Sequence, residues 1–208
     1  MTSTYWLPDL DLRPAESERR TTPARAQECP YCGYVKCTIA DPPPKGVDRH
    51  WLQSDAYRSC EHTPLTDELA QKFYRCYMIR RKAGDGEQAL KAVLRAAWMC
   101  DDAEDTDGAI ACRLIAAEYV KTLPCDKEEA ALLRAELLRR AKRFEAAIEA
   151  AKSVALSANR EWLSALLGFE RNHAAQRDSR TYTVEEALRE MQYRDISPHI
   201  VITQISPY

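Results

Sequence analysis

The sequence predicts a mainly α protein of antiparallel helix pairs, preceded by a small zinc-binding segment. Three observations carry this prediction. Residues 63–194 are rich in Ala, Leu, Arg and Glu, which lose little rotamer freedom in a helix. Their apolar side chains recur at helical spacing. Residues 29–62 contain four cysteines and two histidines but too little apolar content for a core, so a bound metal is expected to stabilise this segment.

Composition divides the 208 residues into four predicted segments. Residues 1–28 are charged, proline-containing and irregular, and residues 29–62 form a zinc-knuckle-like module. Residues 63–194 form a helical repeat-like domain, and residues 195–208 form an extended tail that ends in β-branched residues.

The first three helices are predicted from capping residues and apolar stripes. Thr66 is the expected N-cap of a helix over 66–82, which Gly84 and Gly86 end. The next helix, over 87–102, places Leu90, Val93, Leu94, Ala97 and Trp98 on one stripe. The third covers 108–122.

Four more helices follow after Pro124. Asp126 opens the first of them with a variant of the capping box, and Thr183 opens the last with a full one, which reaches about Tyr193. The two between them are predicted over 144–156 and about 161–176. Helices of this length, each apolar on one face, must stack on their neighbours.

Part of a tetratricopeptide pattern is visible over 131–159. The pattern alternates small residues, such as Ala135 and Ala147, with the bulky Leu138 and Phe144. Small residues let two helices approach closely, and large ones fill the gap between them. A short solenoid of such pairs is the favoured prediction, and a plain helical bundle is the alternative.

The spacing of Cys29 and Cys32 is typical of a zinc knuckle. A turn between them points both thiolates at one tetrahedral ion, and Gly33 lets the backbone bend back. A redox pair, or two ordinary thiols, is the alternative, although a redox C-x-x-C is expected to open a helix and Pro42 to Pro44 soon intervene.

A closed structural Zn²⁺ site needs four ligands. The predicted set is Cys29, Cys32, Cys60 and His62, because the C-x-H spacing of the last two presents both from one loop. Cys37 and then His50 are the competing ligands. Four protein ligands leave no position for a reactive water, so no catalytic residue is assigned.

The remaining cysteines and acids have simpler interpretations. Cys76, Cys100 and Cys112 fall within helices and are expected to pack there, and Cys125 is expected to be a thiol in a turn. The acids between 101 and 107 lack the EF-hand spacing and are interpreted as a solvated loop.

Three stretches of the sequence are informative together: CPYCGY at 29–34, LRAAW at 94–98 and residues 134–147. Their order and separation resemble an uncharacterised bacterial family in which CPxCG motifs precede a tetratricopeptide-like helical region. The resemblance implies metal binding and a helical scaffold and supplies no activity. This chain has one clear C-x-x-C where the family has two.

The leading functional hypothesis is a non-enzymatic scaffold whose helical groove holds a protein or peptide partner. Two alternatives are a nucleic-acid-binding zinc module, which the formal net charge of −2 disfavours, and a zinc enzyme with Cys29, Cys32 and His62 as ligands and Glu61 as general base. Without a visible targeting or transmembrane segment, a cytoplasmic location with reduced cysteines is expected.

Two apolar segments lie outside the predicted helices, at 5–8 and 200–205. Each is too short to fold alone. Packing on their own chain is the favoured prediction, and strand addition to another chain is the alternative.

Overall fold

The computed structural model describes residues 7–15, 19–36, 42–154 and 160–192. Within these residues the protein has nine α-helices, packed in adjacent pairs, and one two-stranded hairpin, which confirms the mainly α prediction. The hairpin consists of β1 (Gln27–Glu28) and β2 (Val35–Lys36). The helices are α1 (Arg49–Leu52), α2 (Asp55–Arg58), α3 (Glu68–Lys82), α4 (Gly86–Asp102), α5 (Thr106–Val120), α6 (Lys127–Arg140), α7 (Phe144–Lys152), α8 (Glu161–Ala175) and α9 (Val184–Glu190).

The chain divides into two compact units. One is Glu18–Tyr119, and the other joins Met1–Ser17 to Val120–Tyr208. In the first unit α3 packs against α4 and also against β2. In the second, α6, α7 and α8 pack on one another and α9 packs on α8. The four segments inferred from composition stay predictions. None of the described helices is long and apolar enough to cross a membrane.

Helix N-termini follow their capping signals with one exception. The Asp126 carboxylate accepts hydrogen bonds from the backbone N–H groups of Glu128 and Glu129, and Thr183 forms the predicted full capping box. The prediction that Thr66 caps α3 is wrong. The adjacent Asp67 accepts the N–H of Ala70 at 2.7 Å, because helical backbone begins one residue later than predicted.

Most long helices end in a single residue with positive φ. Gly84 (φ +76°) has this role after α3, and three larger residues adopt the same conformation: Glu104 (φ 57°), Lys142 (φ 59°) and Arg177 (φ 56°). After Lys142, the next N–H donates back to Leu138 O at 2.8 Å, which closes a Schellman turn. Because α4, α5 and α7 each begin two residues after such a turn, the helices reverse within a very short connection.

The apolar stripe predicted for α4 is buried. The five residues of the α4 stripe are at most 2% exposed. In the second unit Leu132, Leu137, Leu163 and Phe169 are fully buried. Cys100 and Cys112 are also fully buried, as predicted for helical packing residues.

The segment 7–15 packs on its own chain. The N–H of Leu10 donates to Tyr182 O at 3.0 Å, and the N–H of Val184 donates to Pro8 O at 3.0 Å. Leu10 and Leu12 are buried, and the buried Asp11 accepts a hydrogen bond from Arg140 at 3.1 Å. The hydrogen bond that Pro8 O accepts from Val184 supports the prediction that the apolar segment 5–8 packs on its own chain. Residues 5 and 6, the segment 200–205 and the tail 195–208 lie outside the described residues.

A buried ionic cluster lies between α6, α8 and the loop before α9. Arg139 is fully buried and donates to Glu136, to Glu170 Oε2 at 2.8 Å and to the backbone carbonyls of Asp178 and Arg180. Both carboxylates are fully buried, and burial, together with the nearby Glu136 charge, holds the pKa of Glu170 well above its usual range.

His173 belongs to the same region. Its Nδ1 lies 3.2 Å from Asp178 Oδ2, and its Nε2 lies 2.9 Å from Glu190 Oε1. The ring is 4.1 Å from Phe169 and 4.7 Å from Tyr182, centroid to centroid. The imidazole is thus a packed core group with two acidic partners.

Candidate metal centre

The turn of the β1–β2 hairpin holds Cys29 and Cys32. The strands pair antiparallel, Gln27 with Lys36 and Glu28 with Val35. The Cys29 N–H donates to Tyr34 O at 2.8 Å, and the Gly33 N–H donates to Cys29 O at 2.9 Å. Gly33 has φ +74°, a conformation that favours glycine, so the glycine after the second cysteine closes the turn.

Within this turn the Cys29 sulfur lies where a thiolate is stabilised. The backbone N–H groups of Tyr31 and Cys32, and the Cys32 thiol, form hydrogen bonds with it and lower the pKa of Cys29. Desolvation and the charge of Glu28 act in the opposite direction and are weaker. Since zinc binds the thiolate, the turn favours the protonation state that zinc requires.

Three contacts hold the hairpin on the rest of its unit. The Tyr57 hydroxyl donates to Gly33 O at 2.7 Å, Arg75 donates to Glu28 Oε1 at 2.5 Å, and the Cys76 thiol lies 3.6 Å from Val35 O. Tyr57 is 1% exposed, and its burial raises the pKa of its hydroxyl. These contacts attach the hairpin to α2 and α3.

Cys60 lies apart from the turn, under α3. It is 2% exposed, and its sulfur is 3.7 Å from Gln71 O. Burial raises the pKa of its thiol, while Arg75 opposes this rise. Arg75 also binds Glu28, the residue before Cys29, so one guanidinium connects the two cysteine regions.

His62 points into solvent. Its side chain is 77% exposed, and its Nε2 lies 3.4 Å from Asp55 Oδ2. Cys60, Glu61 and His62 all have positive φ, between 52° and 59°, so this turn is left-handed over three successive residues. For L-residues such backbone costs about 1–2 kcal/mol per residue and needs support from its surroundings.

The structure thus brings together two of the four predicted ligands. Cys29 and Cys32 share one turn, and the Cys32 thiol forms a hydrogen bond with the Cys29 sulfur. Among the described residues, no group of three or more His, Cys, Asp or Glu side chains is placed to hold a metal. His50 is exposed on α1, and Cys37 lies outside the described residues. The full ligand set stays a prediction.

The acids between 101 and 107 are more structured than predicted. Asp105 is 8% exposed and accepts hydrogen bonds from the N–H groups of Thr66 at 2.7 Å and Gly108 at 3.0 Å. Asp101 forms a bidentate ion pair with the buried Arg113. The prediction of a solvated loop is therefore wrong for these two acids, because their carboxylates are engaged by backbone and by Arg113.

Comparison of the chain with protein-family models, with curated proteins and with solved structures gave no match. The mostly helical structure with paired helices and a cysteine-containing hairpin agrees with the coarse architecture that the family resemblance implies.

Proposed function

We propose that this protein is a non-enzymatic, zinc-binding helical scaffold that holds a protein partner, as the resemblance to the CPxCG family implies. The observation that carries the proposal is the Cys29–Cys32 turn, where backbone N–H groups lower the pKa of Cys29. In this proposal the ion has a structural role and fixes the hairpin on α3.

The proposed site is completed by Cys60 and His62. Cys60 is already linked to the hairpin through Arg75, which binds both its thiol and Glu28. The left-handed turn over Cys60–His62 is the segment that would rearrange, because leaving positive φ relieves backbone strain. Coordination would compensate for the burial that now keeps the Cys60 thiol protonated.

The helical part would supply the partner surface. Short connections after Gly84, Glu104 and Lys142 are what stacked tetratricopeptide-like pairs require, and a plain helical bundle, the alternative, has short connections as well. A groove along such pairs accepts a peptide or helix through side-chain contacts. The proposal places the protein in the cytoplasm, where its thiols stay reduced and available to zinc.

The test is the zinc content of the purified chain, measured by elemental analysis after zinc loading and removal of loosely bound metal. We expect one zinc per chain in the unchanged protein and none in Cys29→Ser or Cys60→Ser, with a lower thermal midpoint in both variants. Cys125→Ser is the matched control, because Cys125 is a half-buried thiol in the other unit. It should keep its zinc.

Two results would contradict the proposal. If Cys29→Ser retained its zinc, the hairpin would not be part of the zinc site. An unchanged protein that takes up no zinc, but whose Cys29 and Cys32 form a reversible disulfide in a glutathione redox buffer, would favour the redox interpretation of the pair.

A further inference from the structure

Two carboxyl groups are buried beside a single cation in the unit that contains α6 and α8. Glu136 on α6 and Glu170 on α8 are 0% exposed, and so is Arg139, which binds both of them. Its Nη2 donates to Glu136 Oε2, and its Nε donates to Glu170 Oε2 at 2.8 Å. If both glutamates were ionised, this buried group would hold two negative charges against one positive charge.

The way in which the guanidinium is shared brings the two carboxyl groups together. Nε and Nη2 form one edge of a guanidinium, whose parallel N–H groups ordinarily bind both oxygens of a single carboxylate. Here each N–H of that edge binds a different glutamate, and the two carboxyl groups lie within hydrogen-bonding distance of each other. Like charges at such a separation disfavour double ionisation, so one proton is retained between them.

The pair also lacks a donor that a proton would supply. The Oε1 atom of each glutamate is buried and accepts no hydrogen bond from the described residues. The remaining guanidinium nitrogen, Nη1, donates to the carbonyls of Asp178 at 3.0 Å and Arg180 at 2.9 Å. Protonation of one carboxyl group creates the missing donor and removes the excess charge. In agreement, burial and then the Glu136 charge raise the pKa of Glu170.

Other charged groups on the surrounding elements have partners of their own. His173, on the same helix as Glu170, contacts Asp178 and Glu190, and Asp178 also binds Arg180 and the Tyr182 hydroxyl. Among the described residues, no cation except Arg139 pairs with either buried glutamate. The other nearby pairs are Arg140 with Asp11 of segment 7–15, Arg160 with Asp126 and Glu128, Glu145 of α7 with Arg177, and Glu185 with Arg189 of α9.

We propose that Glu136 and Glu170 share one proton at neutral pH, held at the edge of the Arg139 guanidinium, and that loss of this proton at higher pH weakens the contact between α6 and α8. With the proton in place the three side chains are neutral in total. This proton-binding site is separate from the proposed zinc site, since the cysteine hairpin belongs to the other unit.

The direction of the pH effect follows from where the proton is held. In the unfolded chain a glutamate releases its proton near its usual pKa of 4.5, whereas the buried pair keeps one proton at higher pH. The folded protein then holds more protons than the unfolded chain, so stability falls as the pH rises from 4.5 to the pKa of the pair. A carboxylate that is stabilised as the anion has the opposite dependence, because its contribution is lost as the pH falls.

The test is urea unfolding of the full chain at several values between about pH 5 and pH 9, in Glu170→Gln and Glu136→Gln beside the unchanged protein. Glutamine supplies a neutral donor where the shared proton lies and has no proton to lose. The unfolding constant of the unchanged protein, divided by that of either variant, should rise by up to about tenfold per pH unit until the pair loses its proton. Glu145→Gln is the matched control, because Glu145 is 82% exposed, and its ratio should stay constant.

A second measurement uses the unchanged protein alone and does not depend on the folding of a variant. Exposed carboxyl groups are ionised at pH 7, so an infrared band from the carbonyl of a carboxylic acid at that pH reports a buried, protonated group. We expect this band in the unchanged protein, and we expect it to be lost from folded Glu170→Gln and Glu136→Gln.

Three results would overturn the proposal. The first is an unchanged protein without a carboxylic acid band at pH 7. The second is a folded Glu170→Gln whose unfolding constant depends on pH as that of the unchanged protein does. The third is an unfolding constant that responds to sodium concentration and not to pH, which would place a metal cation rather than a proton between the two carboxyl groups.

Discussion

Replacing Arg139 with methionine is expected to destabilise the unit that contains α6, α8 and α9. The guanidinium is fully buried and donates to Glu136, Glu170 and two backbone carbonyls. Methionine fills similar space but leaves two buried carboxylates without a counter-charge. Each already has one buried oxygen, Oε1, with no hydrogen-bond donor in the described structure.

The expected cost is about 3–5 kcal/mol, the usual effect of removing one partner from a buried ion pair. With an m-value of about 2 kcal/mol/M, the urea midpoint should fall by about 2 M. The loss should be smaller at pH 5 than at pH 8. Protonation neutralises the two orphaned carboxyl groups, and burial already raises the pKa of Glu170 in the unchanged protein.

The assay is urea unfolding followed by far-ultraviolet circular dichroism. Arg189→Met is the matched control, because Arg189 is 70% exposed and pairs with Glu185 on the surface of α9. It should cost about 0.5 kcal/mol or less. A triple variant that combines Arg139→Met with Glu136→Gln and Glu170→Gln should regain most of the loss, since no buried charge is left unpaired.

The reasoning is refuted if Arg139→Met costs no more than Arg189→Met. It is also refuted if the triple variant is no more stable than Arg139→Met alone, because the loss would then come from packing and not from charge.

Three further predictions concern turns and caps. Hydrogen bonds, first from Arg180, hold the pKa of Asp178 below its usual 3.8. The stability that this carboxylate contributes is therefore present above pH 3.8 and is lost as the pH falls further. In the Asp178→Asn variant the thermal midpoint should fall less steeply below pH 4. Asp105→Ala should cost about 1–2 kcal/mol in urea unfolding, because two backbone N–H groups lose their acceptor. Lys142→Gly should raise stability by about 0.5–1 kcal/mol in the same assay, because glycine adopts φ 59° without strain.

Two of these predictions have a matched comparison variant. Asp107→Ala changes an exposed acid in the first turn of α5 and should cost about 0.5 kcal/mol or less. Glu149→Gly places glycine at an exposed site inside α7 and should lower stability by about 1 kcal/mol, the reverse of Lys142→Gly. If the thermal midpoint of Asp178→Asn falls below pH 4 as steeply as that of the unchanged protein, the role given to the Asp178 carboxylate is contradicted.

Local signals were sufficient to predict the seven helices after residue 63, whereas the short α1 and α2 were not predicted. Asp126 and Thr183 cap α6 and α9 because an N-cap depends on residues three positions away or fewer. The stripe that includes Leu90 and Trp98 is buried because period 3.6 defines one helix face. Local rules did not distinguish between two adjacent residues that can each cap a helix: Thr66 was predicted, and Asp67 caps α3.

Helix C-termini were harder to predict. A glycine signals the left-handed residue at Gly84, but Glu104, Lys142 and Arg177 adopt the same conformation without a glycine. In each case the hydrogen bonds of the turn and the packing of the next helix outweigh an intrinsic cost of about 1–2 kcal/mol. No composition rule marks these positions.

The candidate metal centre likewise has one part that local sequence predicts and one part that it does not. The Cys29–Cys32 turn depends on five consecutive residues and could be predicted from them. Its attachment to Tyr57 and Arg75 joins residues 24 and 47 positions apart, and short-range patterns carry no information at that range. The buried Arg139 was missed for a related reason: arginine is seldom fully buried, and its partners on α8 are distant in sequence.

The docking of residues 8–10 beside 182–184 affects how the protein emerges from the ribosome. At about 5–20 residues per second, the roughly 170 residues between these segments take on the order of 10–35 s to be translated. During that interval Leu10 and Leu12, buried in the finished protein, have no completed surface to occupy. The unit that includes α3 and α4 can fold meanwhile, whereas the one that includes segment 7–15 is completed last, after its apolar residues have been open to chaperones.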